Sequence, residues 1–227
     1  MWNCGAECNH PGTEGTVVEW RWDTSLISSD GYIARNPQNK VIVASFRGSV
    51  DLGDWAESFT AELVPWPASV KGSLVAGGFL SGYAEASEKV TSQVANLAAK
   101  YPDHSLVATG HSLGGSRASF FVADMSIKHP ELVQRLRLFT YGQAKGCNRV
   151  FANMMDGMGI PVFREVYKGD IAPHLPFTDP DYVHFGTEAW VNDQGITFCK
   201  SSDTSNCSER LPPIEYNIPD HTKYPGL

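Results

Sequence analysis

The sequence predicts an α/β fold with a predominantly parallel central sheet flanked by helices. Three observations carry that reading. Strand-like and helix-like stretches alternate along most of the 227 residues, the order expected of an α/β sheet. One stretch, Val41-Ile42-Val43-Ala44-Ser45-Phe46, is nearly continuous in apolar residues, which suits a central strand covered on both faces. Another, Ser105-Leu106-Val107-Ala108-Thr109, runs straight into Gly110-His111-Ser112-Leu113-Gly114. That G-x-S-x-G pattern makes a sharp strand-to-helix turn with a strained serine at its centre. The pattern also arises by chance, so its weight depends on the strand before it and the helix after it.

In order, residues 1–16 are polar, Gly-rich and irregular, and residues 17–22 alternate well enough for a strand. Residues 31–35 read as a second strand and residues 40–46 as a third, with Asn36-Pro37-Gln38-Asn39 as the turn between two antiparallel neighbours. Arg47-Gly48-Ser49 follows the third strand. In residues 50–59, Val50, Leu52, Trp55 and Phe59 share a rough apolar side, with Asp51, Asp54, Glu57 and Ser58 opposite. Gly53 weakens this short helix by about 1 kcal/mol. The segment is either a surface helix or a movable lid with an apolar underside. Residues 63–72, with Pro65-Trp66-Pro67, read as loop. Tyr83, Ala86, Val90, Val94 and Leu97 recur at helical spacing in residues 79–99, and Tyr101-Pro102-Asp103 stops that helix. The elbow helix follows over 115–126 and ends by His129-Pro130. Residues 136–141 are a strand, 148–158 a helix, and 160–167 a strand with Pro161 tolerated at its start. A hairpin lies within residues 184–198. No internal repeat or low-complexity tract interrupts the chain, so a single domain covering 1–227 is expected.

Composition narrows the function classes. The formal charge is −7, with 42% hydrophobic and 19% charged residues. An acidic chain disfavours nucleic acid as a partner and offers no basic patch to anionic membranes. No apolar run approaches the roughly 20 residues needed to span a bilayer. Met1-Trp2-Asn3-Cys4 lacks the basic and apolar regions of a signal peptide. The chain is therefore expected to be cytosolic, or a mature chain or fragment carrying an added Met. The cysteines favour the second reading. Cys4 and Cys8 lie in a Gly/Asn-rich segment, and Cys199 and Cys207 bracket a polar loop. Such pairs suggest small-loop disulfides and an oxidising compartment, against the alternative of four unconnected thiols. Neither pair has C-x-x-C spacing, and no nearby histidine pair completes a zinc site. Cys147 is left over, and Asn206-Cys207-Ser208 is a glycosylation sequon sharing its middle residue with a candidate disulfide.

A serine hydroxyl needs a base, and the base an orienting acid. In the α/β-hydrolase order these follow the serine as Asp or Glu, then His. Of seven histidines, His10, His104 and His111 precede the serine, and His129 precedes any suitable acid. His221, in a loop near the carboxyl terminus, leads the remaining candidates, with His184 and His174 behind it. Asp170 stands at the carboxyl end of the 160–167 strand, the edge where open α/β sheets place their sites. Asp179 and Asp181 are the fallback, while Asp124 and Asp156 lie on helices and read as solvated. For the oxyanion, Leu113 supplies the N–H after the serine, and Ser49 the second donor from the loop after a central strand.

These segments, in this order, resemble the fungal class 3 lipases, the α/β-hydrolase enzymes of the Rhizomucor and Thermomyces type. Ser45-Phe46-Arg47-Gly48-Ser49 resembles their oxyanion strand and loop, Trp55 their lid tryptophan, and residues 109–115 their elbow. Tyr141-Gly142 through Asn148 resembles a Y-G-x-P-R-x-G-N segment. Gly169-Asp170-Ile171-Ala172-Pro173-His174-Leu175-Pro176 resembles the segment bearing the acid, and Pro219-Asp220-His221-Thr222-Lys223-Tyr224 the one bearing the base. The resemblance implies secretion and triacylglycerol lipase activity with Ser112, Asp170 and His221 as the triad. It also implies Cys4–Cys8 and Cys199–Cys207 pairing. The expected partner is a lipid or ester substrate at an oil–water interface, and the chemistry needs no metal or cofactor. Esterase action on soluble, feruloyl-type substrates and mono- or diacylglycerol lipase action are the alternatives on the same scaffold. A lipid-binding protein without catalysis is the non-enzymatic one.

The chain also departs from the family. It is expected to begin after the family's sheet-wrapping amino-terminal helix. Ser116-Arg117 replaces a small Ala-Leu pair, so Arg117 is expected to reach solvent or a partner. Ala144-Lys145-Gly146-Cys147 lacks the usual proline and puts Cys147 in place of glycine.

Overall fold

The fold is described here from a computed structural model, for residues 12–24, 29–49, 62–67, 70–177, 179–201 and 203–225. The sheet starts with an antiparallel meander of β1 (Val17–Thr24), β2 (Ser29–Asn36) and β3 (Val41–Phe46). Asn36 makes the β2–β3 turn. Its buried side chain accepts from Asn39 N at 2.8 Å and donates to the carbonyl of Glu14 at 2.9 Å. After β3 the sheet becomes parallel. Strand β6 (Ser105–His111) pairs with β3, followed by β7 (Leu136–Tyr141), β8 (Val162–Tyr167) and β9 (Thr187–Asn192), each parallel to the last. Strand β10 (Gly195–Lys200) closes the far edge as an antiparallel hairpin partner of β9.

Residues 63–72 are not loop throughout. Strand β4 (Leu63–Pro65) pairs with β5 (Leu74–Ala76) in a small second sheet. The reason is tertiary. Trp66 is buried against Phe120 and Phe151, with ring centroids 5.5 and 5.3 Å away, and this fixes the Pro-flanked segment.

Helix α1 (Gly77–Lys100) buries the stripe Tyr83, Ala86, Val90, Val94 and Ala98. Helix α2 (Leu113–Lys128) is buried on nearly every side from Gly114 to Ala123, the mark of a helix at the centre of a core rather than on its surface. Phe120 and Phe121, both almost wholly buried, each contribute about 2–3 kcal/mol by leaving water. Helix α3 (Arg149–Gly157) is capped by Asn148, whose side chain accepts from Phe151 N at 3.0 Å.

The other face of the sheet carries a half-exposed aromatic ladder. Phe139 stacks on Phe163 at 5.8 Å, and Phe198 meets Phe163 edge-on at 6.4 Å. No described helix is long and apolar enough to cross a membrane.

Candidate active site

Ser112 sits at the carboxyl end of β6 with φ 57° and ψ −129°. A non-glycine residue held there stores of order 1–3 kcal/mol and persists only if its surroundings enforce it. Two contacts do so. Ser112 N donates to Tyr141 O at 2.8 Å, and Gly115 N donates to Ser112 O at 3.0 Å. Two glycines permit the tight crossing of strand and helix. A Cβ on Gly110 would lie 2.3 Å from Gly114 C, and one on Gly114 would lie 2.2 Å from Phe46 O. Ser112 is fully buried, and its Oγ has no hydrogen-bond partner among the described residues.

The segment carrying Asp170 follows β8. Lys168, at φ 46°, turns the chain, and Asp170 is buried without exposure. Its Oδ1 accepts from Ala172 N at 2.9 Å, and its Oδ2 accepts the Tyr224 hydroxyl. His221 Nδ1 lies 2.9 Å from both carboxylate oxygens. The His221 segment, a single turn over Pro219–Thr222, is tied on its amino-terminal side to Gly169 beside Asp170. Asn217 N donates to Gly169 O at 2.8 Å, and Asp220 Oδ2 accepts from Gly169 N at 3.0 Å.

The elbow and the His221–Asp170 pair border the same residues. Tyr141 O holds Ser112, and a Cβ on the next residue, Gly142 (φ 57°), would fall 2.7 Å from Asp170 Oδ2 and 2.8 Å from His221 Nδ1. His111, beside the serine, packs its ring 4.4 Å from that of His221. Its Nε2 lies 2.7 Å from the His221 carbonyl. A carbonyl only accepts, so Nε2 carries the proton. Burial, and then the charge of His221, lower the His111 pKa, which disfavours its cation.

The loop Arg47-Gly48-Ser49 lies against the elbow. A Cβ on Gly48 would be 2.7 Å from His111 O and 3.3 Å from Ser112 Cβ. Leu113 opens α2, so its N–H has no carbonyl four residues back in the helix.

The other acids and histidines are placed elsewhere. His184 Nε2 donates to Pro173 O at 2.7 Å, and burial followed by the charge of Arg164 pushes its pKa far down. His174 stacks on Tyr216 at 3.9 Å, and burial lowers its pKa to about 4. Asp179 closes a local turn by accepting from Asp181 N at 3.0 Å. Two helical acids prove to be engaged rather than simply solvated. Asp124 accepts the Tyr83 hydroxyl at 2.8 Å, and Asp156 accepts from Gly186 N at 2.7 Å.

Cys199 and Cys207 form a disulfide with Cα atoms 6.1 Å apart. Cys147 is free and buried, and burial pushes its thiol pKa up. Cys4 and Cys8, and the lid residues Val50, Leu52, Trp55 and Phe59, lie outside the described residues. Among the described residues no cluster of His, Cys, Asp and Glu could hold a metal. Arg117 does not reach solvent. It is buried against α1, where a Cβ on Gly82 would lie 2.3 Å from its Nη2.

Four residues had no assigned part in the sequence reading. Tyr224 lies three residues past His221, and it entered only as the last residue of the segment resembling the one that bears the base. Asp220 was visible merely as the base's neighbour. Gly142 followed a strand, where a glycine marks a turn but not what it makes room for. His111 was set aside as a base, and its backbone contact needs the fold.

A parallel-centred sheet with a serine at a strand-to-helix elbow, and a buried Asp170–His221 pair beside it, is the α/β-hydrolase fold. Residues 43–179 match the family model described as Lipase (class 3), and the chain belongs to that family. It is 32% identical to a lipase of Rhizomucor miehei over 231 residues, covering 100% of this chain and 62% of the relative. It is 27% identical to the secreted mono- and diacylglycerol lipase A of Penicillium cyclopium, over 86% of this chain and 63% of that one. The solved structure of the Rhizomucor miehei triacylglyceride lipase superposes with a TM-score of 0.88 at 32% identity, covering 93% of this chain and 81% of the other. The chain therefore spans less than two thirds of the length of the curated relatives.

Proposed function

We propose that this chain hydrolyses carboxylic esters of lipids, acylglycerols first among them, with Ser112 as nucleophile, His221 as base and Asp170 as the orienting acid. The observation that carries the reading is the bracing of His221 Nδ1 by both oxygens of a buried Asp170, beside the strained elbow of Ser112. His221 takes the proton of Ser112 as Oγ attacks the ester carbonyl. Asp170 fixes the imidazole with Nδ1 protonated and steadies its cation. The N–H groups of Leu113 and Ser49 receive the oxyanion. His221 then protonates the departing alcohol, and water, activated by the same histidine, releases the acid. No step calls for a metal or cofactor.

Ser112 has no exposed surface, so an ester reaches it only after a local opening. The apolar residues Val50, Leu52, Trp55 and Phe59 suit a lid whose underside meets lipid at an oil–water interface. The Cys199–Cys207 disulfide fits an extracellular place of action, as does the name of the secreted Penicillium relative. We read residues 1–227 as one domain.

Hydrolysis of emulsified long-chain triglyceride, compared with a short soluble ester across its solubility limit, tests the substrate class. A rise in rate at the interface is expected. Equal or better turnover of the soluble ester, with no rise, would move the assignment to a soluble-ester esterase. The same assay on mono- and diacylglycerols addresses the preference that the Penicillium relative's name carries.

A further inference from the structure

The two halves of the oxyanion site come from different elements, the loop after β3 and the first residue of α2. Asp30, on β2, holds the first of them. Arg47 Nη1 is 2.6 Å from Asp30 Oδ2, and Arg47 N donates to Asp30 O at 2.9 Å. The pair thus grips the first residue of the Arg47-Gly48-Ser49 loop by both side chain and backbone. The second carboxylate oxygen, Oδ1, is buried with no hydrogen-bond partner among the described residues. A buried carboxylate oxygen is costly unless positive charge lies within reach. Arg117, four residues past Leu113 in α2, is a buried cation on which the charge of Asp30 acts. Its guanidinium is buried in the space left by Gly82 and feels the charges of Asp30 and Glu85.

We propose that Asp30 is a positioning residue that keeps the two oxyanion donors in register, through Arg47 on the loop side and Arg117 on the helix side. The proposal rests on Ser49 and Leu113 being those donors. The Arg47 side chain is 53% exposed, so its ion pair adds little to global stability. What it fixes is the direction of the Ser49 N–H. Arg117 has a part for the same reason. The site buries a guanidinium in the helix that opens with Leu113, and Gly82 leaves the room for it.

Steady-state kinetics on p-nitrophenyl butyrate test this with the whole chain and the variants Asp30→Asn, Asp30→Glu, Arg117→Met and the Asp30→Asn/Arg117→Met pair. Removing an oxyanion donor outright costs about 10²–10³ in kcat, so loosening one is expected to cost about tenfold. Asp30→Asn should show that loss in kcat with KM nearly unchanged. Asp30→Glu should recover most of it, and the double variant should lose no more than its worse parent. An unchanged kcat in Asp30→Asn overturns the proposal. So does a loss that tracks melting temperature without recovery in Asp30→Glu, or additive losses in the double variant. If Asp30→Asn does not fold, Arg47→Gln makes the same test from the exposed side of the pair. Absence of both turnover and Ser112 phosphonylation in the unmutated chain overturns the hydrolase reading itself. Turnover there, with an unaffected Asp30→Asn, overturns only the positioning role.

Discussion

His221 Nδ1 lies 2.9 Å from both carboxylate oxygens of Asp170. A carboxylate accepts but does not donate, so this geometry places the histidine's proton on Nδ1 and leaves Nε2 with its lone pair. That is the tautomer the proposed base needs. The pair is also nearly sealed, with His221 at 2% and Asp170 at 0% exposure. Solvent therefore does little to weaken the interaction.

Tyr224 donates its hydroxyl to Asp170 Oδ2 and accepts from Tyr167 N at 3.2 Å. Burial, and then the charge of Asp170, raise the phenol's pKa well above its usual value, so it stays a donor across the working range. Tyr224→Phe keeps the ring's packing and removes both the bond to the Asp170 carboxylate and the one accepted from Tyr167 N. A loss of about 1.5–3 kcal/mol in stability is expected, with kcat lowered by about tenfold. Urea unfolding and ester turnover on the same preparation check this, and an unchanged kcat would show that Asp170 needs no third donor.

Gly142 makes room for the His221–Asp170 pair. Gly142→Ala places a Cβ 2.7 Å from Asp170 Oδ2 at a residue with φ 57°. Both the overlap and the backbone conformation oppose it, so the cost is expected to exceed about 1 kcal/mol. In proton NMR the downfield Nδ1–H resonance of His221 should shift or vanish. A variant of undiminished stability with that resonance in place would contradict the close approach.

His174 gives the fold an acid sensitivity. Its pKa falls from the ordinary 6.5 to about 4 because burial disfavours the cation. Between those values the unfolded chain binds a proton that the folded chain refuses, so stability falls as pH drops through the window. It levels off below pH 4. The full loss is about 3 kcal/mol. His174→Phe, which keeps the stack on Tyr216, should narrow the gap between melting temperatures at about pH 7 and about pH 5. An equal gap in the two proteins would assign the sensitivity elsewhere, His184 being the next candidate.

The Cys199–Cys207 disulfide closes a loop of sequence separation 8 between β10 and the turn at Ser208–Arg210. Closing so short a loop contributes about 2.5 kcal/mol. Replacing both cysteines by alanine should lower the unfolding free energy by that order, as read from denaturant titration, without changing the kinetics of a short ester. A matching fall in kcat would mean that the loop bears on the site.

The alternation of strand and helix was legible in the chain because its signals are local: apolar runs at 41–46 and 105–109, helical spacing from Tyr83 to Val94, and an elbow with its glycines. Candidate acid and base were legible through chain order, which narrows many carboxylates and seven histidines to a few. What stayed hidden depends on distant residues meeting. The β4–β5 pairing exists because Trp66 is buried against Phe120 and Phe151. Gly142 has its purpose only once Asp170 and His221 stand over it. For Arg117 the sequence left solvent and a partner both open, because nothing near it in sequence announces that Gly82, 35 positions earlier (117 − 82), leaves space for its guanidinium.

The central claim is that Ser112 is a nucleophile activated by His221 and Asp170. Its most direct test is intact-mass and peptide mass spectrometry after exposing the folded chain to an alkyl p-nitrophenyl phosphonate. One adduct on Ser112 is expected, lost in Ser112→Ala and slowed by about 10⁴ in Asp170→Asn. A folded chain that takes no adduct at Ser112, or takes it at the same rate with Asp170 replaced, would contradict the account.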